Sequence, residues 1–153
     1  MMRKDLQISA ERSVVMTLPP FRGVIERLKI IEYSQAIHLR NPLHFDFAAA
    51  RAAGHRDIVA PLGFINPFSL QPRGPKFDVF KINEHKALAG EWTWDHFGEV
   101  CAGDELHGQS VLIELGEKQG KRPMIVLIIE TKFFNSNHEN VVTVRDMTLE
   151  FKE

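Results

Sequence analysis

Cysteine occurs once in this 153-residue chain, at Cys101, which excludes an internal disulfide. A chain without disulfides suits a reducing compartment, so a cytoplasmic location is expected. Tyrosine also occurs once and tryptophan twice, against 11 phenylalanines. The expected core is therefore lined by aromatic rings without a polar handle. Neither sign of charge is in surplus: 19 Lys and Arg face 20 Asp and Glu, for a net charge of -1. Nucleic-acid binding usually needs a clear basic surplus and is not expected. Long hydrophobic runs are missing too. The longest, Met124 to Ile129, falls far short of the roughly 20 residues a membrane-spanning helix requires. Met1-Met2-Arg3-Lys4-Asp5 leads into no apolar run, so no signal peptide is expected. His85, His96, His107 and His138 stand at no metal-ligand spacing, so no metal site is expected. There is no phosphate loop, dinucleotide fingerprint or Gly-x-Ser-x-Gly motif.

What is present reads as one domain over residues 1–153, helical signals first and strand signals after. That order predicts an α+β fold with helices segregated against an antiparallel sheet. Arg12 to Leu18 reads as a first strand ended by Pro19-Pro20. A helix is expected from Phe21 to Ile37, with Phe21, Val24, Leu28 and Ile31 on one face. Pro42 forces it to stop, leaving His38 to Asn41 as a turn. Asp46 is a good cap for a short helix over Ala48 to Ala53, with Gly54 ending it. Leu62 to Asn66, almost wholly apolar, reads as a buried helix kinked or ended by Pro67. Gln71 to Lys86 reads as a loop or flap.

Four strands are expected next. Leu88 to Trp94 alternates. Asp104 to Leu115 follows, with Val111, Ile113 and Leu115 inward. Met124 to Phe134 is apolar on both faces, as in a central strand covered twice. In Val141 to Phe151, Val142 and Val144 fall out of phase with Met147 and Leu149, which suggests a bulge near Arg145. The whole is an antiparallel sheet of about five strands around a central buried helix. Its open edges suggest a dimer.

One stretch carries chemistry. Ala36, then Asn41-Pro42-Leu43-His44-Phe45-Asp46, Ala49-Ala50, Ala53-Gly54 and Asp57-Ile58-Val59-Ala60-Pro61 resemble the signature of the MaoC-like enoyl-thioester hydratases and dehydratases. Ala102-Gly103-Asp104 resembles that family's Gly-Asp turn. The likeness runs from Phe21 to Phe151. It implies a hot-dog fold and reversible hydration of a 2-enoyl thioester, on coenzyme A or an acyl-carrier protein, in fatty-acid metabolism. It implies no separate cofactor and a homodimer or a heterodimer with a related hot-dog chain.

The chemistry needs a group that takes and gives a proton near neutral pH, and histidine does so with a reference pKa of about 6.5. His44 is that candidate. The thioester oxygen needs donors as enolate charge develops. Leu62 and Gly63 could offer backbone N–H groups, since Pro61 has none. Asn41, Asn66 and Arg56 are the further substrate-binding candidates. Arg56, Arg73 and Lys76 are placed at the tunnel mouth, where a phosphate-bearing pantetheine arm would meet them.

The sequence departs from the family pattern at one place. Active members carry a Gly-Asp pair where this chain has His38-Leu39, so the aspartate partner of the histidine is missing. Three readings stay open. His38 or another polar residue substitutes; Asp46 contributes, although it also reads as a helix cap; or the chain is the non-catalytic partner of a subunit with the full motif. A thioesterase on the same fold is a weaker alternative. It would need a carboxylate on the segment Leu62 to Leu70, which has none.

Overall fold

Long runs of β-branched and aromatic residues in the second half of the chain form strands that pair into one sheet. In the computed structural model, which describes residues 16–66 and 76–152, five strands are present. They are β1 (Phe21–Val24), β2 (Ala87–His96), β3 (Glu105–Lys118), β4 (Met124–Phe134) and β5 (Asn140–Phe151). All pairings are antiparallel, in the order β1-β3-β4-β5-β2. Among the described residues three helices accompany them: α1 (Arg27–Ala36), α2 (Phe47–Ala52) and α3 (Lys76–Val79). A single turn of the tighter 3-10 type spans Pro42–His44. The α+β class and the five-stranded antiparallel sheet are as expected.

The inner face of the sheet is a continuous ladder. Gly108, Phe133 and Val142 stand in one row, and Ser110, Thr131, Val144 and Trp94 in the next. Ser110 and Thr131 satisfy each other's hydroxyls at 2.8 Å. Ile25 and Ile30 close over this face and join Phe64, Phe133, Val142 and Val144 in the main core. Asp46 caps α2 by accepting the Ala49 N–H at 3.1 Å, and Gly54 ends it at φ +95°. Both follow the local sequence signals.

Several expectations are corrected. Phe21–Val24 is not helical. It pairs with β3, and the helix begins only at Arg27. The expected apolar face is therefore not the buried one: Leu28 is 63% exposed, whereas Ile25 and Ile30 are buried. No helix covers Leu62 to Asn66. Residues 62 and 63 form a turn, Gly63 takes φ +80°, and Leu62 is 75% exposed. A residue at positive φ cannot continue a right-handed helix. Its expected end at Pro67 lies outside the described residues.

In β3 the inward set is Leu106, Gly108, Ser110 and Leu112, while Ile113 and Leu115 face out. A register shift between Leu112 and Glu114 accompanies the change. Nor does β5 bulge near Arg145, where both pairings run on unbroken. Val142, Val144, Asp146 and Thr148 simply share the inner face. β4 is central in the sheet but buried fully on one face only. Of the first expected strand, residues 12–15 lie outside the described part, and Thr17 makes an isolated bridge to Val111. Residues 76–79 of the expected flap are helical, whereas 71–75 lie outside the described residues.

Candidate functional site

His44 closes the 3-10 turn, which Asn41 caps by accepting the Leu43 N–H at 3.1 Å. The half-buried imidazole places Nδ1 2.7 Å from the Val59 carbonyl. A carbonyl only accepts, so Nδ1 carries a proton and donates it. In the neutral ring Nε2 is then the free acceptor. The Val59 N–H in turn donates to the Leu43 carbonyl at 2.9 Å, so turn and segment hold each other in both directions.

The segment 58–60 is itself fixed. Ala60 N–H donates to Val100 O, Ala102 N–H donates to Ile58 O, and Val59 bridges Cys101. Just before it, Asp57 accepts two bonds from the Arg27 guanidinium, at 3.1 and 2.5 Å, and a third from the Ile58 N–H. The Arg27 bonds, foremost, hold the Asp57 carboxyl below its ordinary pKa despite some desolvation. Sequence reasoning missed this clamp, because nothing local links residues 30 positions apart.

The remaining candidates are scattered. His38 stands exposed at φ 58° after α1, in the family's glycine position. That backbone shape suits glycine and accounts for the family's preference. Leu39, half-buried, occupies the place of the missing carboxylate. Leu62 is exposed and Gly63 lies under the Tyr33 hydroxyl. The Asn66 amide donates to Phe64 O at 3.1 Å.

Arg56 is not a free cation. It forms a two-pronged pair with Asp104 at 2.7 and 2.9 Å, and Asp104 also accepts the Cys101 N–H. Lys76 is corrected as well. It is buried against Asp146 and Thr148 rather than at a mouth. Arg73 lies outside the described residues. Asp46 is occupied as the α2 cap.

An open cleft of about 830 Å³ lies beyond Arg56, lined by Phe97, Glu99, Asp104, Asn135 and Glu139 among others. His44 does not line it, and its carboxylates outnumber Arg56. It is a poor match for an anionic ligand. Cys101 is fully buried, and desolvation raises its thiol pKa, so it reads as a small apolar core residue. Among the described residues no cluster of His, Cys, Asp and Glu could hold a metal ion. The arrangement can present one oriented imidazole beside a tightly held extended segment and a turn with backbone donors.

Comparison with known proteins agrees with this fold. The family model described as FAS1-like, dehydratase domain region, matches residues 14–144. A UPF0336 protein of Leifsonia xyli subsp. xyli is 30% identical over 128 residues, 82% of each chain. The 3-oxo-4,17-pregnadiene-20-carboxyl-CoA hydratase alpha subunit of Mycobacterium tuberculosis is 31% identical over 114 residues, 66% of this chain and 35% of that one. A solved MaoC-like dehydratase superposes with a TM-score of 0.71 at 26% identity, over 89% of this chain and 41% of the other. The truncated HadBC (3R-hydroxyacyl-ACP dehydratase) complex of Mycobacterium tuberculosis gives a TM-score of 0.68 at 21% identity, over 88% and 95%. On fold, motif and family match together, the chain belongs to the FAS1-like dehydratase domain region family, as a MaoC-like hot-dog domain.

Proposed function

We propose that this chain is one half of a two-chain acyl-thioester dehydratase, working beside a related hot-dog chain that carries the complete catalytic pair. The reaction adds water across the Cα=Cβ bond of a 2-enoyl thioester. The hydroxyl joins Cβ, a proton joins Cα, and the reverse direction releases water. It needs one group to take the water proton and another to hold the water. The observation that carries the reading is Leu39. An apolar side chain stands where the motif requires a carboxylate, and the nearby Asp46 is occupied as a helix cap. Similarity to the two-chain HadBC and ChsH1-ChsH2 complexes, and to a protein named as an alpha subunit, supports it.

In this reading His44 is a structural clip on Val59, and the chain's task is to shape and hold the acyl thioester. The test is hydration of crotonyl-coenzyme A, followed by loss of the enoyl-thioester absorbance. The chain alone should be inactive. Mixed with a related chain bearing an intact Gly-Asp-x-Asn-Pro-x-His motif, sought first in the adjacent gene, it should be active. His44→Ala in this chain should then leave the rate of the complex within about tenfold, well under the roughly 10²–10⁴ a general acid–base group contributes.

A second reading has its own observation. The Nδ1 donation to Val59 fixes the ring and leaves Nε2 free, as a working base requires. If His44 hydrates unaided, the chain alone is active and His44→Ala removes that activity. His38 would be the substitute partner, and His38→Gln would then lower the rate as well.

A further inference from the structure

The ring-bearing residues of this chain show an odd choice. There are 11 phenylalanines and a single tyrosine, Tyr33. Tyr33 lies on α1, half-buried, with its ring edge-on to Phe64 at 5.4 Å and 79°. Phenylalanine would make the same packing contact, so packing does not account for the hydroxyl. That hydroxyl is placed over Gly63, where an added Cβ would come within 3.2 Å of it. Gly63 also takes φ +80°, a backbone shape that favours glycine, and a side chain there would crowd the hydroxyl. The Tyr33 hydroxyl thus stands against the turn that follows Val59, the residue whose carbonyl accepts from His44. Among the described residues it meets no hydrogen-bond partner.

The turn beneath it is equally suggestive. Pro61 has no N–H, and the Phe64 N–H is engaged by the Pro61 carbonyl at 3.1 Å. Among the described residues no acceptor meets the N–H groups of Leu62 and Gly63, the other donors on the turn. The phenol O–H lies close to Gly63 and adds a side-chain donor beside these backbone N–H groups, and a carbonyl oxygen with developing negative charge calls for such donors. From Val59, which holds His44, to Gly63 is four residues, a reach of at most about 14 Å. An acyl thioester can lie along that distance.

We propose that Tyr33 is a substrate-contacting residue whose hydroxyl donates to the thioester carbonyl oxygen of an acyl group lying on the Pro61–Gly63 turn. The inference rests on the reading above that this site takes an acyl thioester. It goes beyond it by naming a side-chain donor that the family motif does not contain.

Because the tyrosine is unique, biosynthetic incorporation of fluorotyrosine gives a single fluorine NMR resonance. The labelled chain, alone and with unlabelled partner chain, is titrated with crotonyl-coenzyme A and, separately, with coenzyme A. The resonance should shift with the thioester and stay in place with coenzyme A. Tyr33→Phe keeps the ring packing and should melt at the wild-type temperature. It should bind crotonyl-coenzyme A about three- to tenfold more weakly, the scale of one neutral hydrogen bond, with coenzyme A binding unchanged. An unmoved resonance, or an unchanged thioester affinity in Tyr33→Phe, overturns the role of Tyr33 while thioester binding stands. Failure of the wild-type chain to bind crotonyl-coenzyme A in either form overturns the thioester reading and this inference with it.

Discussion

His44 and Asp57 show how single side chains fix the site. The His44 imidazole ties its turn to Val59 through one hydrogen bond, and its loss should cost about 0.5–1.5 kcal/mol. A chain of this size loses roughly 2–4 °C per kcal/mol. His44→Ala should therefore lower the melting temperature by only a few degrees, measurable by circular dichroism. The Arg27–Asp57 pair behaves differently with pH. Its carboxyl has a folded pKa below the unfolded value of about 3.9. Its contribution is thus fully present above that value and fades as pH falls through the folded pKa. Asp57→Asn should destabilise the chain at neutral pH. The gap between mutant and wild-type melting curves should close as the buffer is brought toward the folded pKa. A gap unchanged at low pH would mean that the pair is not what holds the segment. Local residue signals were readable in sequence wherever a single residue type forces a backbone shape. Asp46 as a cap, Gly54 as a stop and the turn before Pro42 all followed that way. Arg27–Asp57 and Tyr33–Gly63 were invisible, because they join residues about 30 apart and leave no periodic trace.

At the level of elements, the phase of a strand was legible only where one face is apolar and the other polar. Val111, Leu112 and Ile113 are apolar in succession, so alternation cannot say which face turns inward. β5 misleads for the opposite reason. Its inner face carries Asp146 and Thr148, which look like solvent-facing residues until Lys76 arrives from α3. The Lys76 ammonium, with side-chain exposures of 8% and 3% for the pair, meets Asp146 and donates to Thr148 at 2.9 Å. Two charges taken out of water attract strongly, yet removing one partner strands the other. Lys76→Met alone should therefore cost about 3–5 kcal/mol in urea denaturation. The double variant Lys76→Met with Asp146→Leu should recover most of that loss. If the double variant is as unstable as the single, the pair contributes more than it costs to bury. Gly108 gives a second element-scale test. It faces Phe21 across the β1–β3 ladder, and a Cβ there would overlap that ring. Gly108→Ala should loosen β1 and cost about 1–3 kcal/mol through overpacking. Tolerance of alanine at full stability would show that Phe21 is free to move.

For the whole molecule, the question is which surfaces of this hot-dog domain a second chain would cover. The domain matches 35% of the hydratase alpha subunit and 41% of the solved MaoC-like dehydratase, so both of those proteins carry a good deal more chain than this one. Among the described residues β1 and β2 end the sheet, and Ile113 and Leu115 stand about half exposed on its outer face. Unpaired strand edges and exposed apolar side chains are surfaces that a second chain covers. If the proposed partner covers them, binding must also raise the folded state's stability by mass action. A partner at one hundred times its dissociation constant adds about 2.7 kcal/mol. At roughly 2–4 °C per kcal/mol, the melting temperature should rise by about 5–10 °C on mixing and depend on partner concentration. Light scattering should report one complex of defined mass in the same range of concentrations that restores crotonyl-coenzyme A hydration. Hydration appearing without the shift in stability or mass would instead place the activity in the added chain alone, and the two-chain reading would fall.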